Sequence, residues 1–143
     1  PDSGRVIAGA RKNADSRELV KIHLAHLQGM SSAVLTAGQH TTIGVIATDA
    51  RLSPLQTTRL AQIGHDGLAR TIRPVHTPFD GDTLFALSTG KTDLTLDTIL
   101  MHSLVTEVVS QAVLCAVRAA VSVTSNGQWI PCAAELGTLH SSL

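Results

Sequence analysis

Two stretches of this 143-residue sequence hold groups whose types and spacing suit chemistry. The first is Gln39-His40-Thr41-Thr42-Ile43-Gly44, where hydroxyls stand between a small, polar loop and an apolar run. A hydroxyl residue that opens a buried strand suits an N-terminal nucleophile: once the chain is cut before it, the new α-amine serves as its general base. An α-amine titrates at roughly 7.7–8.0, so a usable fraction is unprotonated at neutral pH. The plainer reading is that Thr41 and Thr42 are β-formers entering a strand. The second stretch is Asp80-Gly81-Asp82-Thr83, two carboxylates around a glycine ahead of another apolar run. Such a pair at the mouth of a sheet can orient a nucleophile or bind an amine. The plainer reading is a loop or hairpin turn, because Asp-Gly is a frequent turn dipeptide. A calcium loop needs more oxygen ligands at alternating positions.

The histidines add less. His23 and His26 stand three apart on an expected helix, without the i, i+4 spacing and intervening Glu of zinc hydrolases, so exposed imidazoles are the preferred reading. His65 and His76 lie near the acidic stretch, and His102 and His140 have no partner in sequence. No metal site and no cofactor are expected.

These groups need elements to place them. A turn at residues 1–4 leads into an extended segment, and Asp15 or Ser16 starts a helix that ends by Gly29. Thr42 to Asp49 is β-branched and apolar on both alternations, which predicts a central strand covered on both faces. Ser53-Pro54 is a strong helix start, and Leu60, Ala61, Gly64, Leu68 and Ile72 recur at helical spacing until Pro74. Gly64 and Gly67 lower helix propensity by roughly 1 kcal/mol each, which points to close approach of a neighbouring element. A second buried strand is expected over 83–89. A long helix follows from about Leu96 to Val123, with Ile99, Leu100, Leu104, Val108, Ala112, Ala116 and Ala120 on its apolar side. From Thr124 onward no periodicity and no strand signal are read. The order strand, helix, strand, helix predicts a mixed layered fold.

Composition narrows the function classes. Eleven basic residues balance eleven acidic ones, so nothing concentrates positive charge for nucleic acid or an anionic membrane. Only Phe79, Phe85 and Trp129 are aromatic, which argues against base-stacking platforms. His102, Glu107, Gln111 and Arg118 interrupt the long helix and favour a core helix over a membrane span. Two cysteines without CxxC spacing fit a reducing, cytoplasmic setting, with Cys115 acting as a small hydrophobe inside its helix. The Pro1-Asp2-Ser3-Gly4 opening reads as the interior of a longer polypeptide.

Taken together and in order, HTTIGVIATDARLSP, HDGLARTIRPVHTP and FDGDTLFALSTG resemble one family. The chain is similar to the DmpA-type aminopeptidases (L-aminopeptidase/D-Ala-esterase/amidase), which include β-peptidyl aminopeptidases and the nylon-oligomer hydrolase NylC. The likeness is continuous from about Gly38 to Gly90 and looser from residue 1 to Ser122. It implies an α+β fold, part of a four-layer αββα sandwich, in a precursor that cuts itself into two oligomerising subunits. Residues 1–40 would end the larger subunit, 41–123 would form the smaller one, and 124–143 are unassigned. The resemblance makes Thr41 the nucleophile, His40-Thr41 the self-cleavage site, and Asp80 and Asp82 its supporting groups. Thr with two Asp resembles the NylC-like branch. The chain departs from the family at His40, where Asn is common.

The expected partners are a small peptide or amide substrate, the upstream part of the same precursor and further copies of the chain, with no nucleic acid and no membrane. Two other readings stand beside the hydrolase. One is an acyltransferase of the ornithine acetyltransferase kind, with a related fold and a Thr nucleophile. The other is an uncut chain that assembles without catalysis, because a blocked α-amine leaves Thr41 without a base.

Overall fold

The computed structural model describes residues 5–29, 41–94 and 97–137. Its mixed helix and strand content fits the α+β class. The chain divides into two compact units, one of residues 32–112 and one that joins residues 1–31 to 113–143.

The first unit carries the motifs. Strand β1 (Ile43–Ala50) leads into helix α2 (Pro54–Thr71), which returns to strand β2 (Thr83–Thr92), and the two strands pair in parallel from Ile43↔Thr83 to Thr48↔Ser88. Helix α2 starts where Ser53-Pro54 predicts. The Ser53 hydroxyl accepts the Gln56 N–H at 3.3 Å while the Gln56 side-chain oxygen accepts the Ser53 N–H at 2.8 Å. This capping box satisfies two backbone donors that the first turn leaves open. Helix α3 (Thr98–Ala119) begins at Asp97, whose Oδ1 accepts the N–H groups of Ile99 and Leu100.

The core lies between α2 and one face of the sheet. Ile46, Ala50 and Leu84 from the strands meet Leu60, Ile63 and Leu68 from α2, with Met101, Val105 and Val109 from α3. Both helix glycines mark close approach, as expected. A Cβ on Gly64 would lie 2.6 Å from Ile46 Cδ1, and one on Gly67 would lie 2.7 Å from the Thr106 carbonyl oxygen and from Val109 Cβ. The Ser110 hydroxyl donates into the same crossing, to the carbonyls of Thr106 at 2.8 Å and Gly67 at 3.2 Å.

Three expectations change here. β1 is covered on its even-numbered face only; Ile43, Val45, Phe85 and Leu87 make an apolar, exposed second face. The buried side of α3 is Met101, Val105, Thr106, Val109 and Ser110, not the Leu100-Leu104-Val108 stripe, which is exposed. The stripe follows from hydropathy alone; in the structure Val109 and the Ser110 hydroxyl pack at Gly67 of α2, and the buried side turns with them. Cys115 is exposed as well, so it does not serve as a buried hydrophobe.

The second unit holds helix α1 (Ile22–Leu27), much shorter than the helix expected from Asp15. Its upstream residues instead fold back, with a bridge between Arg11 and Leu19 and the Asn13 side chain accepting the Asp15 N–H. Such side-chain-to-backbone bonds compete with helix formation. Strands β3 (Val123–Ser125) and β4 (Gln128–Ile130) form an antiparallel hairpin where no strand was expected. Its two-residue turn is Asn126-Gly127, both at positive φ, the chemistry that two-residue hairpins favour. Asn-Gly is itself a local hairpin signal, carried by two neighbouring residues. By length and composition α3 is the one helix among the described residues able to cross a membrane; its Val109 and Ser110 pack on Gly67 of α2.

Candidate active site

A parallel βαβ unit returns the chain to the edge of the sheet at which it began. The register Ile43↔Thr83 therefore sets the residues just before β1 beside those just before β2. The Thr83 N–H donates to the Thr42 carbonyl at 2.9 Å, extending the ladder one step past the strands. Thr41 is exposed at this edge, and its hydroxyl stands so close to the Gly81 backbone that a Cβ there would fall 2.8 Å from Oγ1. Gly81 sits at this approach without a left-handed φ, so its lack of a side chain, not its backbone freedom, suits the contact. The hairpin reading of Asp-Gly does not hold, because the strand that follows pairs in parallel with β1.

The two carboxylates do different work. Asp80 closes a turn: its Oδ2 accepts the Thr77 N–H at 2.7 Å, and its own N–H donates to the Thr77 carbonyl at 3.0 Å. Asp82 reaches across to the other segment, where Oδ1 accepts the Thr42 N–H at 2.9 Å. The Asp82 side chain is only 7% exposed, so its carboxylate is held by protein groups rather than by solvent. Its Oδ2 lies 3.3 Å from Nδ1 of His76. His76 in turn stands over His65 of α2, with ring centroids 5.0 Å apart and its Nε2 3.4 Å from the His65 carbonyl oxygen.

The structure thus brings Thr41, Asp80 and Asp82 to one edge, around Gly81. His40 lies outside the described residues. His76 joins this group although the sequence gives it no role: its contact depends on the turn between α2 and β2, where it adopts φ 57°. Among the described residues no cluster of three or more His, Cys, Asp or Glu side chains is arranged to hold a metal. A shallow groove lined by Leu52, Pro54, Thr57, Phe85, Leu87 and Ser88 includes neither Thr41 nor the aspartates. In the other unit, hydrogen bonds from the Ser122 side chain and then the Glu135 backbone hold the Cys132 thiol below its ordinary pKa.

Residues 4–130 match the sequence model of peptidase family S58. The chain belongs to that family. Curated relatives include a protein named an uncharacterized aminopeptidase from Mycobacterium leprae, 52% identical over 97 residues, covering 59% of this chain and 27% of the relative. A Mycobacterium tuberculosis protein of the same description is 71% identical over 51 residues, 36% of this chain and 15% of the relative. The 6-aminohexanoate-oligomer endohydrolase of Kocuria sp. is 43% identical over 60 residues, 42% of this chain and 17% of the relative. The chain therefore spans 15% to 27% of the length of these relatives. Membership of family S58 agrees with the resemblance read from the three ordered motifs.

Proposed function

We propose that this chain is the catalytic portion of a self-processing amidohydrolase with Thr41 as its N-terminal nucleophile. The observation that carries the reading is the Thr41 hydroxyl seated against Gly81, with Asp80 and Asp82 on either side of that glycine in sequence and Asp82 bonded to the Thr42 amide. The Thr41 Oγ attacks the His40 carbonyl, the acyl group passes from nitrogen to oxygen and so frees the Thr41 α-amine, and water cleaves the ester to release the His40 carboxylate and restore the hydroxyl. In turnover Oγ attacks a substrate amide carbonyl while that amine takes the hydroxyl proton and passes it to the leaving amine. Water then releases the acyl group and restores Thr41. Asp80 and Asp82 orient the amine and offset its positive charge as the proton arrives.

The names of the relatives favour water over a second amine as the acyl acceptor, and the amide bonds of peptides or of aminoalkanoate oligomers as substrate. The bare apolar sheet face of Ile43, Val45, Phe85 and Leu87 supports the αββα sandwich, in which a second sheet from the rest of the polypeptide covers it. On this reading residues 1–40 and 41–123 end in separate subunits, and the cleaved pairs assemble into oligomers. Mass spectrometry of the full-length polypeptide that carries this sequence tests the reading. A cut between His40 and Thr41 divides the present chain into 40 and 103 residues. Thr41→Ala should abolish both the cut and amide turnover. Retention of turnover by that variant would overturn the assignment.

A further inference from the structure

His76 is the described side chain that ties the body of α2 to the candidate active edge. Its Nδ1 lies 3.3 Å from Asp82 Oδ2, while the other oxygen of the same carboxylate receives the Thr42 amide at 2.9 Å. Asp82 is nearly buried, so its second oxygen requires a partner from the protein. Both nitrogens of His76 face oxygens, the other being the His65 carbonyl at 3.4 Å. The residue holds this place with φ 57°, a left-handed region that few non-glycine residues enter and that Asn, Asp and His enter most readily.

We propose that His76 is a positioning residue for Asp82, holding the carboxylate that receives the Thr42 amide and thereby fixing where the Thr41 hydroxyl and amine stand. The proposal rests on Thr41 being the nucleophile. The competing explanation is that His76 serves only the turn between α2 and β2. The backbone conformation separates the two. Gly, Asn and Asp all accept the left-handed region, but only Asn presents an N–H toward Asp82, while Asp sets a second carboxylate against it.

The test uses the full-length polypeptide, following the cut before Thr41 and the kcat and KM for a p-nitroanilide amide. His76→Gly should lower kcat about ten- to hundredfold with KM little changed, since a small misplacement of reacting groups has an effect of that order. His76→Asn should recover most of the loss. His76→Asp, nearly the same shape, should not, and this pair decides the matter even where the Gly variant folds poorly. In an Asp82→Asn background, His76→Gly should add little further loss, because the two residues act as one unit. Equal activity of His76→Asn and His76→Asp, or wild-type kcat in His76→Gly, would overturn the proposal. If Thr41→Ala is inactive in those same preparations, only the role of His76 falls. An active Thr41→Ala would remove the nucleophile assignment and this proposal with it.

Discussion

Helices α2 and α3 cross at Gly67, yet they bury themselves by different rules. In α2 the stripe Leu60, Ile63, Gly64, Gly67 and Leu68 is buried, and Thr58, Arg59, Gln62, Asp66 and Arg70 on the other side are exposed. Its polar face leaves one way to orient. Helix α3 carries polar residues in two rows, His102-Thr106-Ser110 and Ser103-Glu107-Gln111, yet Thr106 and Ser110 are buried while Ile99, Leu100, Leu104 and Val108 remain exposed. Hydropathy alone does not give this orientation. The notch at Gly67 does, because it admits Val109 and gives the Ser110 hydroxyl two carbonyl acceptors. Where hydropathy and packing disagree, shape and hydrogen bonding choose the buried face.

The contrast can be broken by substitution, with unfolding in urea as the readout throughout. Leu60 is 1% exposed, and Leu60→Ala should cost about 2–5 kcal/mol, the usual range for emptying a well-packed site. A loss under 1 kcal/mol would mean that the α2 stripe is not the core. Next comes Gly67→Ala. Its Cβ would meet the Thr106 carbonyl and Val109 Cβ, which cannot swing aside, so a net loss of about 1–3 kcal/mol is expected. Gly64→Ala is its control. There the Cβ meets the side-chain ends of Ile46 and Leu84 closely and Val109 Cγ2 at an ordinary 3.6 Å, and the roughly 1 kcal/mol gained in helix propensity offsets the repacking. Equal penalties at the two glycines would remove the notch as the feature that orients α3.

Smaller effects sharpen the picture. Ser53→Ala should cost about 1 kcal/mol by opening the capping box, a local cost independent of which faces are buried. Leu104, 47% exposed, should accept Gln with a change within about 0.5 kcal/mol in this chain. A loss of 2 kcal/mol or more there would restore the Leu100-Leu104-Val108 stripe as the buried face.

Signals confined to a few neighbouring residues were legible in the sequence. Ser53, Pro54 and Gln56 set the start of α2; a β-branched run marked β1 and a short apolar run β2; Asn126-Gly127 is a hairpin turn signal. The ordered motifs also indicated the family and singled out Thr41, Asp80 and Asp82 together. What the sequence left open depends on partners some forty positions apart or on the outline of another element. The seat of Thr41 against Gly81, the bond from the Thr42 amide to Asp82 and the contact between Gly67 and Val109 are of that kind. Parallel pairing is set by the return of the whole α2 crossover, and close approach by which side chains are missing where two backbones meet. Local propensity carries neither, so the face of α3 and the place of His76 beside Asp82 were decided by the tertiary structure alone.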